Sequence, residues 1–172
     1  MPRPNKGNFR MMALIHETLY GFLRDPYRAL ADAGVQPGQA VLEAGCGPGF
    51  FTIPAARTVG GTGSVMALDI NPFAVEHVQR KIEAEGVSNA RVLLADASQT
   101  GLPGQSFDLA FLFGLPRPIG GMEKIWKEMH RLLKPAGILA VEGRRLPPGG
   151  LFQPSGRLGR ISCYIRIGEG EK

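Results

Sequence analysis

Cysteine and histidine are both scarce in this chain. Cys46 and Cys163 are the only thiols in 172 residues, which excludes a disulfide framework and a cysteine-based zinc site. His16, His77 and His130 lie far apart without metal-ligand spacing, so no metal is expected. No apolar run approaches the roughly 20 residues of a membrane span. The opening residues are basic and polar and lack the apolar core of a secretory leader, so a cytosolic location is the expectation. Repeats and low-complexity tracts are absent. Charge is not strongly one-sided either: the net value is +5. The excess sits near the ends, at Arg3, Lys6 and Arg10, then at Arg144, Arg145, Arg157, Arg160 and Arg166. A nucleic-acid-binding face is an option on charge alone, but solvated ends are the plainer reading.

What the chain has is apolar residues, at 44%, and 24 glycines, most of them between apolar runs. This is the pattern of one compact α/β domain rich in tight turns. Met11, Leu14, Ile15, Leu19, Phe22 and Leu23 recur at helical spacing and predict a helix from Phe9 to Leu23. Asp25-Pro26 opens a second helix, which Gly34 ends. The strand Gln39 to Glu43 leads into Gly45-Cys46-Gly47-Pro48-Gly49, and a helix follows to Val59. Ser64 to Asp69 is a second strand. Asn71-Pro72 starts a helix with Ala74, Val75, Val78 and Ile82 inward. Arg91 to Ala95 and Phe107 to Phe113 are further strands. Between Gly121 and Leu133 a helix buries Met122, Ile125, Trp126, Met129 and Leu133. Pro135-Ala136-Gly137 turns into a fifth strand, Ile138 to Glu142. Alternating strands and helices, with strands apolar throughout, predict a parallel sheet covered on both faces. Arg144 to Gly159 reads as loop. Ile161, Cys163, Ile165 and Ile167 alternate with polar residues, as in an antiparallel edge strand.

Three carboxylates carry the chemical signal, each at a strand's carboxyl end, where open α/β sheets bind ligands. Gly45, Gly47 and Gly49 form G-x-G-x-G after Glu43, not the G-x-G-x-x-G of a dinucleotide loop. A carboxylate facing that loop opposes a pyrophosphate and suits a ligand with an ammonium group. That disfavours a nicotinamide dinucleotide and favours an amino-acid-bearing cofactor. Asp69 can accept two hydrogen bonds from a ribose diol, and Ile70 can lie against an adenine face. Asp96, with Ala97 beside it, can take the adenine amine. Against these stand the readings of an ordinary strand-to-helix turn and of turn aspartates.

The stretches VLEAGCGPGFFTIPAAR, VMALDINPFAVE, VLLADASQTGLPGQSFDLAF and EMHRLLKPAGILAVEG together resemble the class I S-adenosylmethionine (SAM)-dependent methyltransferase superfamily. The likeness is to its small-molecule enzymes of ubiquinone and menaquinone biosynthesis. It implies a Rossmann-like, doubly wound α/β fold with a mostly parallel sheet. It implies SAM as cofactor, S-adenosylhomocysteine as product, a small-molecule acceptor, and methyl transfer by in-line displacement. It places Glu43, Ala44, Gly45, Cys46, Gly47 and Gly49 around the methionine part, Asp69 on the ribose, and Ile70 on the adenine. Asp96 and Ala97 fall at the adenine amine, and Phe113 and Gly114 near the sulfonium.

The chain departs from the family in two places. About thirty residues follow Glu142, too few for the usual helix and two strands, so the expectation is a sheet reduced by one element. The loop from Leu112 to Pro118 has neither Asn-Pro-Pro-Tyr nor the histidine seen among small-molecule enzymes. No catalytic residue is named on this reading. Residues 1–35 are expected to form a helical segment covering the site, and residues 36–172 the SAM-binding domain; His16, Tyr20 and Tyr27 line the site only if the N-terminal helix folds over it, which is the less favoured reading. Cys46 and Cys163 read as structural, and His77 and His130 as surface residues. Two other functions stay open: an RNA or protein methyltransferase docking through its arginines, and a non-catalytic SAM-binding or scaffold subunit. The oligomeric state is open, a homodimer among the options.

Overall fold

The computed structural model describes residues 24–114, 121–143 and 147–168. The helix expected before Arg24, with His16 and Tyr20, lies outside them, as do Arg3, Lys6, Arg10, Arg144, Arg145 and the loop after Gly114. The elements run α1 (Pro26–Asp32), β1 (Ala40–Ala44), α2 (Thr52–Val59), β2 (Ser64–Asp69), α3 (Pro72–Ala84) and β3 (Ala90–Leu94). Then come β4 (Phe107–Leu112), α4 (Glu123–Leu132), β5 (Leu133–Glu142), β6 (Phe152–Leu158) and β7 (Ile161–Arg166).

Two helices begin where the sequence punctuates them. Asp25 Oδ1 accepts the N–H groups of Tyr27 and Arg28 at 2.9 and 3.3 Å, with Pro26 in the first turn. Asn71 Oδ1 accepts the Phe73 N–H at 3.0 Å, again with proline following. These caps satisfy donors that a helix start leaves free.

The strands form one sheet in the order β3-β2-β1-β4-β5-β7-β6. Strands β1 to β5 are mutually parallel, and β7 is antiparallel to both neighbours. Side chains alternate between two cores. Val41, Leu109 and Phe111 face α1, α2 and α3, while Leu42, Ala110 and Leu112 face α4 with Trp126 and Met129. Helices on both faces explain why β1 and β4 read as unbroken apolar runs. Chain order reverses between β1 and β4, which makes the carboxyl ends of these strands the topological switch point.

The Rossmann-like, mostly parallel architecture agrees with the sequence reading, but several details differ. No strand is missing, because part of the expected loop, Phe152–Leu158, is β6. Its residues after Phe152 are exposed, so burial gave no period to detect. Ile161–Arg166 is antiparallel as expected, yet it lies inside the sheet between β5 and β6 rather than at the edge. Nine residues join β5 to β6, and no helix lies among those of them that are described. Strand β5 begins at Leu133: the Pro135-Ala136-Gly137 turn is absorbed as a register shift, with Ala136 at φ 60°. Val75 is half-buried rather than core.

His130 is buried, not a surface residue. Its Nε2 donates to Ile167 O at 2.8 Å. Arg166, expected among the solvated or docking arginines, is buried too, and its Nε donates at 2.7 Å to the His130 carbonyl at the end of α4. The last carbonyls of a helix have no partner of their own, and a cation there also suits the helix dipole. Among the described residues no helix is long and apolar enough to cross a membrane, and no group of three His, Cys, Asp or Glu is placed to hold a metal ion.

Candidate functional site

The loop after β1 is stitched to β2. The N–H groups of Gly45 and Cys46 both donate to Leu68 O, at 2.8 and 2.9 Å. That pins the turn against the second strand and brings Asp69 to it. Asp69 Oδ2 accepts the Gly47 N–H at 2.9 Å, and its Oδ1 accepts the Asn71 N–H at 2.8 Å. Each carboxylate oxygen keeps a further lone pair for a ligand hydroxyl.

The glycines differ in purpose. Gly49 lies at φ 77°, and a Cβ there would stand 2.8 Å from Val78 Cγ2, so its lack of a side chain lets the loop close on α3. Gly47, at φ 52°, would put a Cβ into open space with nothing within 4 Å. Packing does not require glycine at that point, which leaves the backbone bare toward the cleft.

Glu43 is buried at the end of β1. Its Oε2 accepts the Thr52 hydroxyl at 2.6 Å, its one side-chain hydrogen bond among the described residues. Burial, against the lowering effect of that bond and with the Asp69 charge adding to it, pushes the carboxyl from its ordinary 4.5 up to about 8. A carboxyl this starved of solvent is a ready partner for a cation. Burial also drives the Cys46 thiol far up, helped by the Glu43 and Asp69 charges, so Cys46 is no nucleophile.

On the far side of Asp69, Ile70 is 66% exposed, an apolar side chain presented outward at a strand end. The Ala95 N–H donates to Asp69 O at 3.0 Å, which sets the end of β3 beside β2 and puts Asp96 one residue further on. Asp96 is exposed and its Oδ1 accepts the Ser98 N–H at 2.7 Å, while Ala97 turns inward beside Ala44 and Leu68. The structure thus joins Gly47 and Asp69 directly, sets Glu43 near enough to feel the Asp69 charge, and carries Ile70, Asp96 and Ala97 along the same rim. Phe113 is buried at the end of β4, and Gly114 is exposed at φ 67°.

Sequence reasoning missed the residues around Phe113. Its ring meets Phe51 at 5.1 Å and Phe111 at 4.8 Å between centroids. The Arg24 guanidinium carbon stands 4.9 Å over Phe51 and 5.6 Å over Phe113, and its Nη1 donates to Glu142 Oε1 at 3.0 Å. Glu142 also lies 3.5 Å from Arg160 Nε. No spacing rule links positions 24, 51, 113 and 142. Thr52 was missed as well, although a threonine opening the helix after the loop was a signal for it. Tyr27, open as a site residue only if the N-terminal helix folds over, is 47% exposed in the first turn of α1.

A family model described as a methyltransferase domain matches residues 36–148. A demethylmenaquinone methyltransferase of Geobacillus stearothermophilus is 36% identical over 105 residues, 60% of this chain and 44% of its own length. A ubiquinone/menaquinone biosynthesis C-methyltransferase of Citrobacter koseri is 37% identical over 111 residues, 63% of this chain and 44% of its own. The aklanonic acid methyltransferase of a Streptomyces species is 34% identical over 91 residues, covering 51% and 41%. This chain therefore spans under half the length of these curated relatives. Among solved structures, a SAM-dependent methyltransferase from Aquifex aeolicus superposes with a TM-score of 0.75 at 21% identity, covering 96% of this chain and all of the other.

Proposed function

This chain belongs to the methyltransferase domain family, and we propose that it is a class I SAM-dependent methyltransferase acting in the cytoplasm on a small molecule. The observation that carries this reading is a pair of carboxylates at the ends of two adjacent strands beside the glycine loop: Glu43, buried on β1, and Asp69 on β2, bonded to the Gly47 N–H.

The residues present fit the cofactor. Glu43, held by Thr52, takes the ammonium of the methionine part, and the open face of Gly47 admits its backbone. Asp69 takes the ribose diol through its remaining lone pairs. Ile70 offers the adenine an apolar surface, and Asp96 with Ala97 borders the adenine edge. When bound, the cofactor supplies an already activated methyl group on a sulfonium. The protein's task is then to align two reactants and keep water away. Phe113 and Gly114, across the switch point, border the acceptor. The names of the relatives point to a quinone or an acid as the kind of acceptor.

Titration calorimetry with SAM and with S-adenosylhomocysteine tests the assignment. Asp69→Ala weakens both by about 10- to 100-fold, the scale of losing hydrogen bonds to a charged group. Unchanged affinity in a folded variant removes the ribose role. Binding without methyl transfer to any quinol or acid offered marks a scaffold subunit instead. Tight RNA binding that falls steeply with salt marks a nucleic-acid enzyme.

A further inference from the structure

We infer that Arg24 is the acceptor-side anchor of this site and selects an acceptor that carries an oxyanion, such as an ionised phenol, enol or carboxylic acid. The inference rests on the methyltransferase reading above and adds the charge of the substrate to it.

Cofactor-binding features occupy the carboxyl ends of β1, β2 and β3. The carboxyl ends of β4 and β5 hold Phe113 and Glu142, and Arg24 lies over this half of the rim. Its guanidinium is stacked on two rings and only 17% of its side chain is exposed. One nitrogen, Nη1, is taken by Glu142. The N–H groups of Nε and Nη2 have no acceptor among the described residues. An arginine so nearly buried ordinarily uses its whole planar fork, and donors left over there are costly. Arg24 also borders a solvent-open depression shared with Asp25, Arg28, Asp32 and Arg160, so a small molecule can reach it from solvent. Asp25 is already engaged in capping α1.

Around the depression Arg24, Arg28 and Arg160 stand against Asp25, Asp32 and Glu142, so an anion is selected by the free N–H groups of the Arg24 fork and not by net charge. An acceptor that arrives ionised brings the electron pair for the new bond to the methyl carbon, while the methyl–sulfur pair stays on sulfur. The acceptor anion and the sulfonium cation are both neutralised, and no proton has to move. On the β4–β5 side the carboxylate of Glu142 is held by Arg24 and Arg160 and is not left to take a proton.

The test is binding to protein saturated with S-adenosylhomocysteine. The probes are 2-hydroxy-1,4-naphthoquinone, ionised at neutral pH, and its neutral near-isostere 2-methyl-1,4-naphthoquinone. Wild type prefers the anion by about tenfold or more. Arg24→Met abolishes the preference, and Arg24→Lys keeps part of it, having the charge without the fork. Glu142→Gln, which leaves Arg24 charged and frees Nη1, preserves or strengthens it. S-adenosylhomocysteine affinity stays within about twofold in all three variants. Equal binding of the two probes by wild type, a preference that survives Arg24→Met, or its loss in Glu142→Gln would each overturn the anchor and leave Arg24 a latch for the chain before α1. Wild type that fails to bind S-adenosylhomocysteine overturns the methyltransferase reading itself, and with it the anchor.

Discussion

The rim over β1, β2 and β3 is built from near neighbours in sequence. Glu43 meets Thr52 nine residues on, and Gly47 meets Asp69 twenty-two residues on. Most of these bonds engage backbone N–H groups of tight turns, so a few residue types at fixed positions suffice. The rim over β4 and β5 is closed by side chains from across the chain: Arg24 reaches Glu142 over 118 positions and lies on rings from two further elements. The first half is rigid because its backbone is bonded. The second depends on ion pairing and ring packing, which tolerate other side chains. The contrast suits one half holding an invariant ligand while the other varies with the acceptor.

Breaking the backbone-built half costs most. Gly49→Val places a β-branched side chain at φ 77° against Val78 and destabilises the fold by about 4 kcal/mol or more, read as a lowered denaturation midpoint. Next comes the buried carboxyl. Unfolded, Glu43 ionises near 4.5; folded, it holds its proton to about 8. The unfolded chain therefore releases the proton first, and the stability of cofactor-free protein falls as pH rises from 4.5 towards 8, then levels off. Glu43→Gln removes that slope. The variant matches wild type near pH 4.5 and exceeds it by roughly 3 kcal/mol at pH 7, while binding SAM more weakly. Thermal melts across that range check this, and parallel curves would show that Glu43 is not buried as described.

The long-range half gives smaller effects on stability. Arg24→Met loses a partly buried ion pair and two ring contacts, about 1–2 kcal/mol in urea unfolding, with cofactor affinity unchanged. A larger loss, with weakened SAM binding, would erase the distinction between the two halves. Asn71→Ala removes the cap of α3 for about 1 kcal/mol. Arg160→Ala, on a side chain 84% exposed, leaves the denaturation midpoint unmoved.

Most of the sheet and the geometry of the glycine loop were legible because their signals are local. Asn71-Pro72 marks a helix start by capping chemistry, and the apolar runs at β1 and β4 mark strands covered on both faces. Glu43, Asp69 and Asp96 stand out because strand ends are where a ligand waits. Strand β6 was not legible, since its side chains are nearly all exposed and it is a strand only because β7 pairs with it. His130 and Arg166 read as surface residues because nothing near them in sequence shows that the end of α4 meets the end of β7.

The sequence by itself determined the alternation of elements, the glycine loop and the acids at the strand ends, because each depends on backbone conformation and near neighbours. Only the tertiary structure decided the place of β7 inside the sheet, the proton held by Glu43, and the position of Arg24 over Phe51 and Phe113. Those depend on burial and on contacts between residues far apart in the chain, which exist only once the sheet has brought them together.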